Sequence, residues 1–167
     1  MQDKINLIDY EEKYAKEIDD IEKGQWGIWE SENEDSIINR IKDVDFIKLA
    51  KSNEKIVGVC EGRKIGDAFL IDAIVITSEF QHKSIGSSFM EEVLKYSKEF
   101  KLKNIICECV IAKGVMNAEK LMKKYNFEEI IRIEGFWGSL YKQNYICVEC
   151  GFNPCKCTAA IFKKNIN

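Results

Sequence analysis

The chain of 167 residues has a single proline, Pro154, and a single histidine, His82. With so little proline, and with no internal repeat or low-complexity tract, the sequence offers no linker at which two domains would separate. A chain of this length can bury one substantial core but is too short for two ordinary domains. We therefore predict a single domain over residues 1–167.

Long apolar runs are also missing, and none approaches the roughly 20 residues that a membrane-spanning helix needs. No signal-peptide pattern opens the sequence. The formal net charge of −3 argues against a nucleic-acid-binding surface. We expect a cytoplasmic protein, a monomer or a homodimer, whose partners include neither a membrane nor a nucleic acid.

What the sequence does contain is an alternation of strand and helix patterns. Polar residues at 52–54 predict a hairpin turn, and the glycines at 24 and 27 are expected to end the first helix. The predicted strands are Asn6–Ile8, Phe46–Ala50, Lys55–Arg63, Ala68–Ile76, Asn104–Ile111, Phe127–Ile133 and Thr158–Ile166. The predicted helices are Glu11–Lys23, a segment near Glu34–Lys42, Ser84–Phe100 and Asn117–Tyr125.

The segment from Ile74 to Met90 is the most informative part of the chain. A buried strand ends at Ile76, a polar link follows, and small residues open a helix at Ser84. The start of a helix leaves backbone N–H groups unpaired and carries partial positive charge. This pattern favours a phosphate or pyrophosphate site, although an ordinary strand–turn–helix corner gives the same pattern.

In this segment the sequence resembles the GNAT N-acetyltransferases. Their signature is Val, four residues, Arg or Gln, two residues, then Gly-x-Gly or Gly-x-Ala. The sequence matches it at Ile76, Gln81 and Gly86, and departs from it with Ser84 at the first glycine. Serine keeps the backbone amides of this turn without strain if its φ is negative, whereas a positive φ strains it.

A second motif of the same family, Ala-x-x-Leu-Tyr-x-Lys-x-Gly-Phe, follows later in the chain. It is matched at four positions, Ala118, Leu121, Lys124 and Phe127. Asn126 replaces the glycine, and asparagine is the next-best residue for a left-handed helix end. The resemblance covers roughly residues 4–135. It implies an α/β (α+β) fold, in which about four helices flank a mixed, mostly antiparallel sheet of six to seven strands.

The resemblance implies acetyl-coenzyme A as cosubstrate, bound through the turn amides and along the preceding strand. The single histidine would then donate a backbone amide while its ring faces solvent. The implied binding residues are Ile74, Val75, Ile76, Gln81, His82, Lys83, Ser84, Ile85, Gly86, Ser87 and Asn117.

The catalytic residues are less sharply defined. Family members transfer the acetyl group directly to a neutral amine, so a base must first take a proton from the ammonium form. Asp72 on the fourth strand is our first candidate, and Glu108 on the fifth is the alternative. Met122 stands where many members have a tyrosine acid, and a thioether donates no proton. Tyr125, three residues on, is the candidate acid, with a packing role as the alternative.

Aromatic residues in two regions are expected to wall the acceptor site. In the resembled fold, the first two helices and the connection between the last two strands lie beside it. Aromatic side chains there favour an apolar or cationic acceptor. A role in the core or in subunit contact is the alternative for each. These residues are Trp26, Trp29, Phe136 and Trp137.

A cluster of four cysteines in eleven residues comprises Cys147, Cys150, Cys155 and Cys157. The spacing Cys-x2-Cys-x4-Cys-x-Cys suits four thiolates that converge on one tetrahedral ion, and it favours structural Zn²⁺. A redox-active or disulfide cluster is one alternative, and an iron–sulfur or unliganded role is the other. We predict a zinc knuckle at residues 145–158, inserted between the last two strands.

The sequence thus predicts an acetyl-coenzyme A-dependent N-acetyltransferase that carries a zinc knuckle. The acceptor would be a small amine, or a lysine or N-terminal amine of a peptide. One alternative is a non-catalytic acyl-coenzyme A-binding regulatory domain, which Ser84 and Met122 suggest. The other is a zinc- or redox-sensing interaction module on the same scaffold.

Overall fold

A computed structural model describes residues 4–26, 41–140 and 147–166. Seven strands form one sheet in the order β1-β2-β3-β4-β5-β7-β6. The strands are β1 (Ile5–Asp9), β2 (Phe46–Ser52), β3 (Lys55–Ile65), β4 (Ala68–Ile76), β5 (Asn104–Ile111), β6 (Glu128–Ile133) and β7 (Thr158–Asn165). The helices in the described ranges are α1 (Ala15–Trp26), α2 (Ile85–Glu99), α3 (Glu119–Lys124) and α4 (Phe136–Leu140).

The sheet is mixed, as the sequence predicts. Its neighbouring strands are antiparallel except for β4 and β5, which pair in parallel across the connection through α2. That connection is long because a parallel pair needs a crossover. In the described part of the chain, no helix is long and apolar enough to cross a bilayer.

Helices cover both faces of the sheet. On one face α2 buries Ile85, Phe89, Met90 and Val93, which recur at helical spacing, into a core that also contains Met122 of α3. On the other face α1 buries Ala15 and Ile18 against Leu49 and Val75. The two helical layers bury both faces of the central strands β3 and β4, which are accordingly rich in apolar residues, whereas all six residues of β6 are exposed.

The first helix differs from its prediction. It begins with a 3₁₀ turn at Glu12–Tyr14 and continues to Trp26 instead of ending at Lys23. A glycine inside a helix costs only about 1 kcal/mol, so Gly24 does not end it. The next residue, Gln25, donates a hydrogen bond of 2.7 Å to Glu149 Oε1, which adds a tertiary contact to this last turn.

Most other predicted boundaries agree with the structure to within two residues. The predicted helix near Glu34–Lys42 lies outside the described residues except for Ile41 and Lys42, which are helical. The short helix α4 was not predicted, because five residues with a glycine at their centre are too few for a helical period to be recognised in the sequence.

Candidate cofactor, catalytic and metal sites

The centre of the sheet opens into a gap between β4 and β5. Their parallel pairing runs only from Ala68 opposite Asn104 to Ile71 opposite Cys107. Beyond it, β4 continues to Ile76 alongside β3, and β5 continues to Ile111 alongside β7. Two strands that separate in this way leave backbone hydrogen-bonding groups without a partner strand between them. An extended ligand can pair with such groups as an added strand does.

Strand alternation identifies the groups of β4 that face this gap. The N–H of Thr77 donates to the carbonyl of Val57 at 3.0 Å, so Thr77 and Val75 direct their backbone groups toward β3. Ile74 and Ile76 therefore direct theirs toward the gap. In agreement, the Ile76 carbonyl accepts a hydrogen bond of 3.1 Å from Gln81 Nε2.

The turn after β4 presents its backbone to solvent. A 3₁₀ turn at Ser78–Phe80 leads into the exposed residues Gln81, His82, Lys83 and Ser84, and α2 begins at Ile85. His82 and Ser84 have positive φ values of 60° and 64°. Ser84 caps α2 without a side-chain hydrogen bond. The first amides of a fifteen-residue helix thus lie next to the open end of the gap, where the helix dipole favours an anion.

The φ of Ser84 is positive, so of the two possibilities that the sequence allowed the structure shows the strained one. Ser84→Gly should raise the free energy of unfolding by about 0.5–1 kcal/mol, because glycine adopts this conformation without a clash of Cβ. Urea unfolding measures the change. The matched control is Ser88→Gly, at an exposed position one turn into α2, which should lower the same quantity by about 0.5 kcal/mol. A loss of stability with Ser84→Gly would contradict the interpretation.

The first turn of α2 faces α3 across the end of the gap. A β-carbon on Gly86 would lie 3.6 Å from Ile76 Cδ1 and 3.6 Å from Leu121 Cδ2, so this glycine borders the passage between β4 and α3. Lys124 Nζ donates to Ser87 Oγ at 2.8 Å, which brings a cation beside the turn. Asn117, just before α3, is exposed.

Tyr125, the candidate acid, follows α3 and contacts α2. Met122 is 1% exposed and belongs to the core. The hydroxyl of Tyr125 lies 2.8 Å from Glu91 Oε1 and 3.1 Å from the Ser87 carbonyl oxygen, two acceptors that compete for its one proton. Burial and the hydrogen bond to Glu91 raise the pKa of Tyr125. These contacts fix α3 to α2, and the catalytic assignment of Tyr125 stays a prediction.

The two candidate bases lie at the point where β4 and β5 separate. The register between β3 and β4 skips Asp72, which is the extra residue of a β-bulge between Ile71 and Ala73. Arg63 donates Nε–H and Nη2–H hydrogen bonds of 2.9 Å each to the two oxygens of this carboxylate. Glu108 directly follows Cys107, the last residue of β5 that pairs with β4, and is exposed. Loss of hydration, and then the charge of Asp72, raise the pKa of Glu108.

The predicted aromatic wall is described in part. Trp29 lies outside the described residues, and of Trp26 we describe only the backbone, which ends α1. Phe136 and Trp137 open α4 and form a T-shaped pair with ring centroids 5.4 Å apart. Trp137 packs against the cysteine cluster.

The four cysteines converge. All four sulfur atoms lie within 4.8 Å of one another, and all four thiols are free. The Sγ atoms of Cys147 and Cys157 are 3.8 Å apart, and those of Cys150 and Cys155 are 3.9 Å apart. Four sulfurs bound tetrahedrally at about 2.3 Å from Zn²⁺ are about 3.8 Å from one another. Two of the six sulfur–sulfur distances match this value, and all six lie within 4.8 Å, so the cluster is close to the size that a tetrahedral ion requires.

The surroundings of the cluster tie it to the fold. The Gly151 N–H donates to the Cys147 carbonyl at 2.7 Å, and Gly151 has a φ of 74°, which glycine adopts without strain. A β-carbon on Gly138 of α4 would overlap the carbonyl oxygen of Cys155. Helix α4 is therefore packed directly on the cluster within the connection between β6 and β7.

The sheet, its central gap and the turn at the start of α2 define an acetyltransferase fold. The family model described as "Acetyltransferase (GNAT) family" matches residues 14–127. The chain belongs to this family. No curated protein matches it in sequence.

Solved structures agree on the fold at low sequence identity. The ribosomal-protein-S18-alanine N-acetyltransferase from Escherichia coli is 11% identical, with a TM-score of 0.74 over 98% of this chain and 95% of that one. An N-acetyltransferase from Staphylococcus aureus Mu50 is 11% identical, with a TM-score of 0.76 over 98% and 99%. Ard1 from Thermoplasma volcanium is 14% identical, with a TM-score of 0.71 over 98% and 98%.

Proposed function

We propose that the protein is an N-acetyltransferase that transfers the acetyl group of acetyl-coenzyme A directly to a primary amine. The observation that carries the proposal is the separation of β4 from β5 immediately before the turn at the start of α2. Unpaired strand edges and free helix amides suit the two ends of one long ligand, an amide-rich arm and a pyrophosphate. Family membership supports the same chemistry.

The chain offers a distinct group for each part of the cosubstrate. The backbone groups of Ile74 and Ile76 are available to pair with the pantetheine arm. The amides from Gln81 to Gly86 are available to the pyrophosphate, and the side chain of Lys124 adds positive charge beside Ser87. Ile85 is 2% exposed, so its side chain anchors α2 and only its amide is offered.

The reaction needs a base and a group that polarises the thioester carbonyl. The backbone N–H of Ile76, near the end of β4, points into the gap. There it can donate a hydrogen bond to the thioester carbonyl oxygen, which gains negative charge during the reaction. Asp72 is engaged by Arg63 through two hydrogen bonds. Glu108 has no such partner among the described residues, and its raised pKa suits a base near neutral pH. We therefore assign the base to Glu108.

Glu108→Gln tests this assignment. It should lower kcat for a panel of primary amines by about 100-fold or more, because the amide accepts no proton. Coenzyme A release measures the rate. The matched control, Glu128→Gln, replaces an exposed glutamate on β6 and should leave kcat unchanged. Full activity of Glu108→Gln with every accepted amine would return the role of base to Asp72.

The rival proposal is a domain that binds acyl-coenzyme A without catalysis. Two observations favour it: a buried methionine at the position of the usual acid, and a Tyr125 hydroxyl already held by Glu91. The same amine panel separates the two proposals. Tight acetyl-coenzyme A binding without release of coenzyme A for any small amine or peptide amine would favour the rival.

We further propose that the cysteine cluster holds one structural Zn²⁺. Thiolate sulfur is the ligand that structural zinc prefers, and the sulfur spacing suits it. With all four positions taken by the protein, such an ion would have no open site for catalysis. Its part would be to stiffen the long connection between β6 and β7 beside the acceptor site. A redox-sensing role for the same thiols is the alternative.

A further inference from the structure

Arg63 on β3 makes a two-point side-chain contact with Asp72 near the gap. Its guanidinium donates two N–H groups to Asp72 in a fork, at 2.9 Å each. Guanidinium and carboxylate match in this geometry, which fixes orientation as well as charge. The side chain of Asp72 is only 15% exposed, so the pair is partly shielded from solvent.

The fork lies in an unusually acidic setting. Arg63 and Asp72 line a cavity of about 120 Å³ together with Asp43, Val44 and Glu61. Glu61 is 1% exposed. The hydrogen bond from Arg63 to Asp72, followed by the charges of Asp72, Glu61 and Asp43, raises the pKa of Arg63. One guanidinium thus offsets the repulsion among three carboxylates.

The strand register brings this group next to Glu108. Ile71 and Cys107 form the last parallel pair, so Asp72 and Glu108 are the next residues on the two neighbouring strands. The bulge at Asp72 is where β4 leaves β5, and its carboxylate is the charge that acts on Glu108.

We propose that Arg63 is a positioning residue that acts through Asp72 on Glu108. By clamping Asp72 at the bulge, Arg63 holds a fixed carboxylate beside Glu108 and neutralises part of its charge. Glu108 then accepts the proton of the acceptor's ammonium group. The inference rests on the proposed acetyltransferase function for its consequence in catalysis, but the electrostatic arrangement itself can be tested without turnover.

Charged groups from several elements share the face of the sheet with Glu108. Lys163 of β7 is opposite Ile106, two residues before Glu108, and Glu128 of β6 is opposite Lys163. Among the described residues, the charged groups on or beside this face are Glu22 of α1, Asp43 just before β2, Glu61 and Arg63 of β3, Asp72 of β4, Glu128 of β6 and Lys163 of β7. Of these, Asp72 is the one whose charge raises the pKa of Glu108.

The proposal predicts opposite changes from two substitutions. A nearby negative charge disfavours ionisation of a carboxyl group. Asp72→Asn removes that charge, so the pKa of Glu108 should fall. Arg63→Gln leaves the carboxylate of Asp72 unneutralised, so the pKa of Glu108 should rise. Arg63→Lys keeps the charge but loses the fork, so the pKa of Glu108 should stay near that of the wild type.

The test is a ¹³C NMR titration of the side-chain carboxyl groups, with Glu108 assigned through Glu108→Gln. The matched control is Arg132→Gln, which breaks an exposed Arg–Glu pair on β6 and should leave the titration of Glu108 unchanged. Midpoints that move down with Asp72→Asn and up with Arg63→Gln support the proposal. Midpoints that stay in place, or move together, overturn it. Should Arg63→Gln fail to fold, Asp72→Asn and Arg63→Lys decide the question.

Activity provides the second measurement. Arg63→Gln should lower kcat/KM for the best amine at neutral pH by about tenfold, because the base is displaced and less ionised. The acidic limb of its pH profile should move to higher pH. Asp72→Asn should move that limb to lower pH. Loss of the limb in Asp72→Asn would make Asp72 the base and overturn the proposal. If neither the wild type nor any variant acetylates an amine, the proposed function is wrong. The NMR titration still decides whether Arg63 acts through Asp72 on the pKa of Glu108.

Discussion

Gly86→Glu should weaken acetyl-coenzyme A binding by at least about 100-fold, or about 2.8 kcal/mol. Gly86 borders the passage between Ile76 of β4 and Leu121 of α3, where the end of the gap meets the first turn of α2. A glutamate side chain would fill that passage and place a negative charge at the helix N-terminus. Both effects oppose a pyrophosphate, because the dipole that attracts one anion would already be offset by another.

The matched control is Gly86→Ala. An added methyl group would have its nearest neighbours at 3.6 Å, an ordinary contact distance, so it fits without moving them. Isothermal calorimetry should therefore give nearly wild-type affinity for the alanine variant. Thermal unfolding of both variants shows whether each is folded. Wild-type affinity of a folded Gly86→Glu protein would place the cosubstrate elsewhere.

The sequence predicts the local elements of the fold well, because the signals for them lie in neighbouring residues. The strand up to Ile76, the helix from Ile85 and the hairpin at 52–54 follow from apolar spacing and turn residues. The replacement of glycine by Asn126 is also confirmed at the backbone level, since this residue has a φ of 55°. In each case neighbouring residues determine the conformation.

The contacts of the catalytic region depend instead on residues far apart in sequence. Nothing near Asp72 indicates that β4 bulges there, or that Arg63, nine residues earlier, will clamp it. The closeness of Asp72 to Glu108 follows only from the parallel register of β4 and β5. The hydrogen bond between Tyr125 and Glu91 likewise needs the packing of α3 on α2. The pairing of the strands and the packing of the helices decide which of these residues come together. Neither can be inferred from the spacing of residues in a single sequence.

The cysteine cluster lies between these two cases. Its spacing predicts convergence of the thiols, and the structure brings their sulfurs together. The contacts that join it to the fold were not predictable: the close approach of Gly138 to Cys155, and the hydrogen bond from Gln25 of α1 to Glu149. Through these contacts the cluster connects the end of α1, α4 and the start of β7. If the cluster holds the proposed zinc ion, loss of that ion should therefore affect this edge of the protein first.

Protein purified without chelator should contain about one zinc ion per chain, and Cys150→Ser should lose it. The substitution removes one of four ligands, and metal binding that organises a loop contributes directly to folding. A loss of 2–3 kcal/mol would lower Tm by about 5–10 °C for a chain of this size. Elemental analysis and thermal unfolding measure the two effects. Val148→Ser, at an exposed position inside the cluster, is the matched control and should retain the ion.

The location of the loss is as informative as its size. The turn at Gln81–Ser84, where we propose that the pyrophosphate binds, precedes α2 and is held by the core of α2, α3 and the sheet, to which the cysteine cluster does not belong. Cys150→Ser should therefore leave coenzyme A affinity nearly unchanged. Hydrogen exchange should rise first in α4 and the residues leading into β7. Absence of zinc, together with thiol counting that finds two disulfides, would instead assign the cluster to redox chemistry. The sulfurs of Cys147 and Cys157 are 3.8 Å apart and those of Cys150 and Cys155 are 3.9 Å apart, so each pair would have to approach to about 2 Å to form a disulfide.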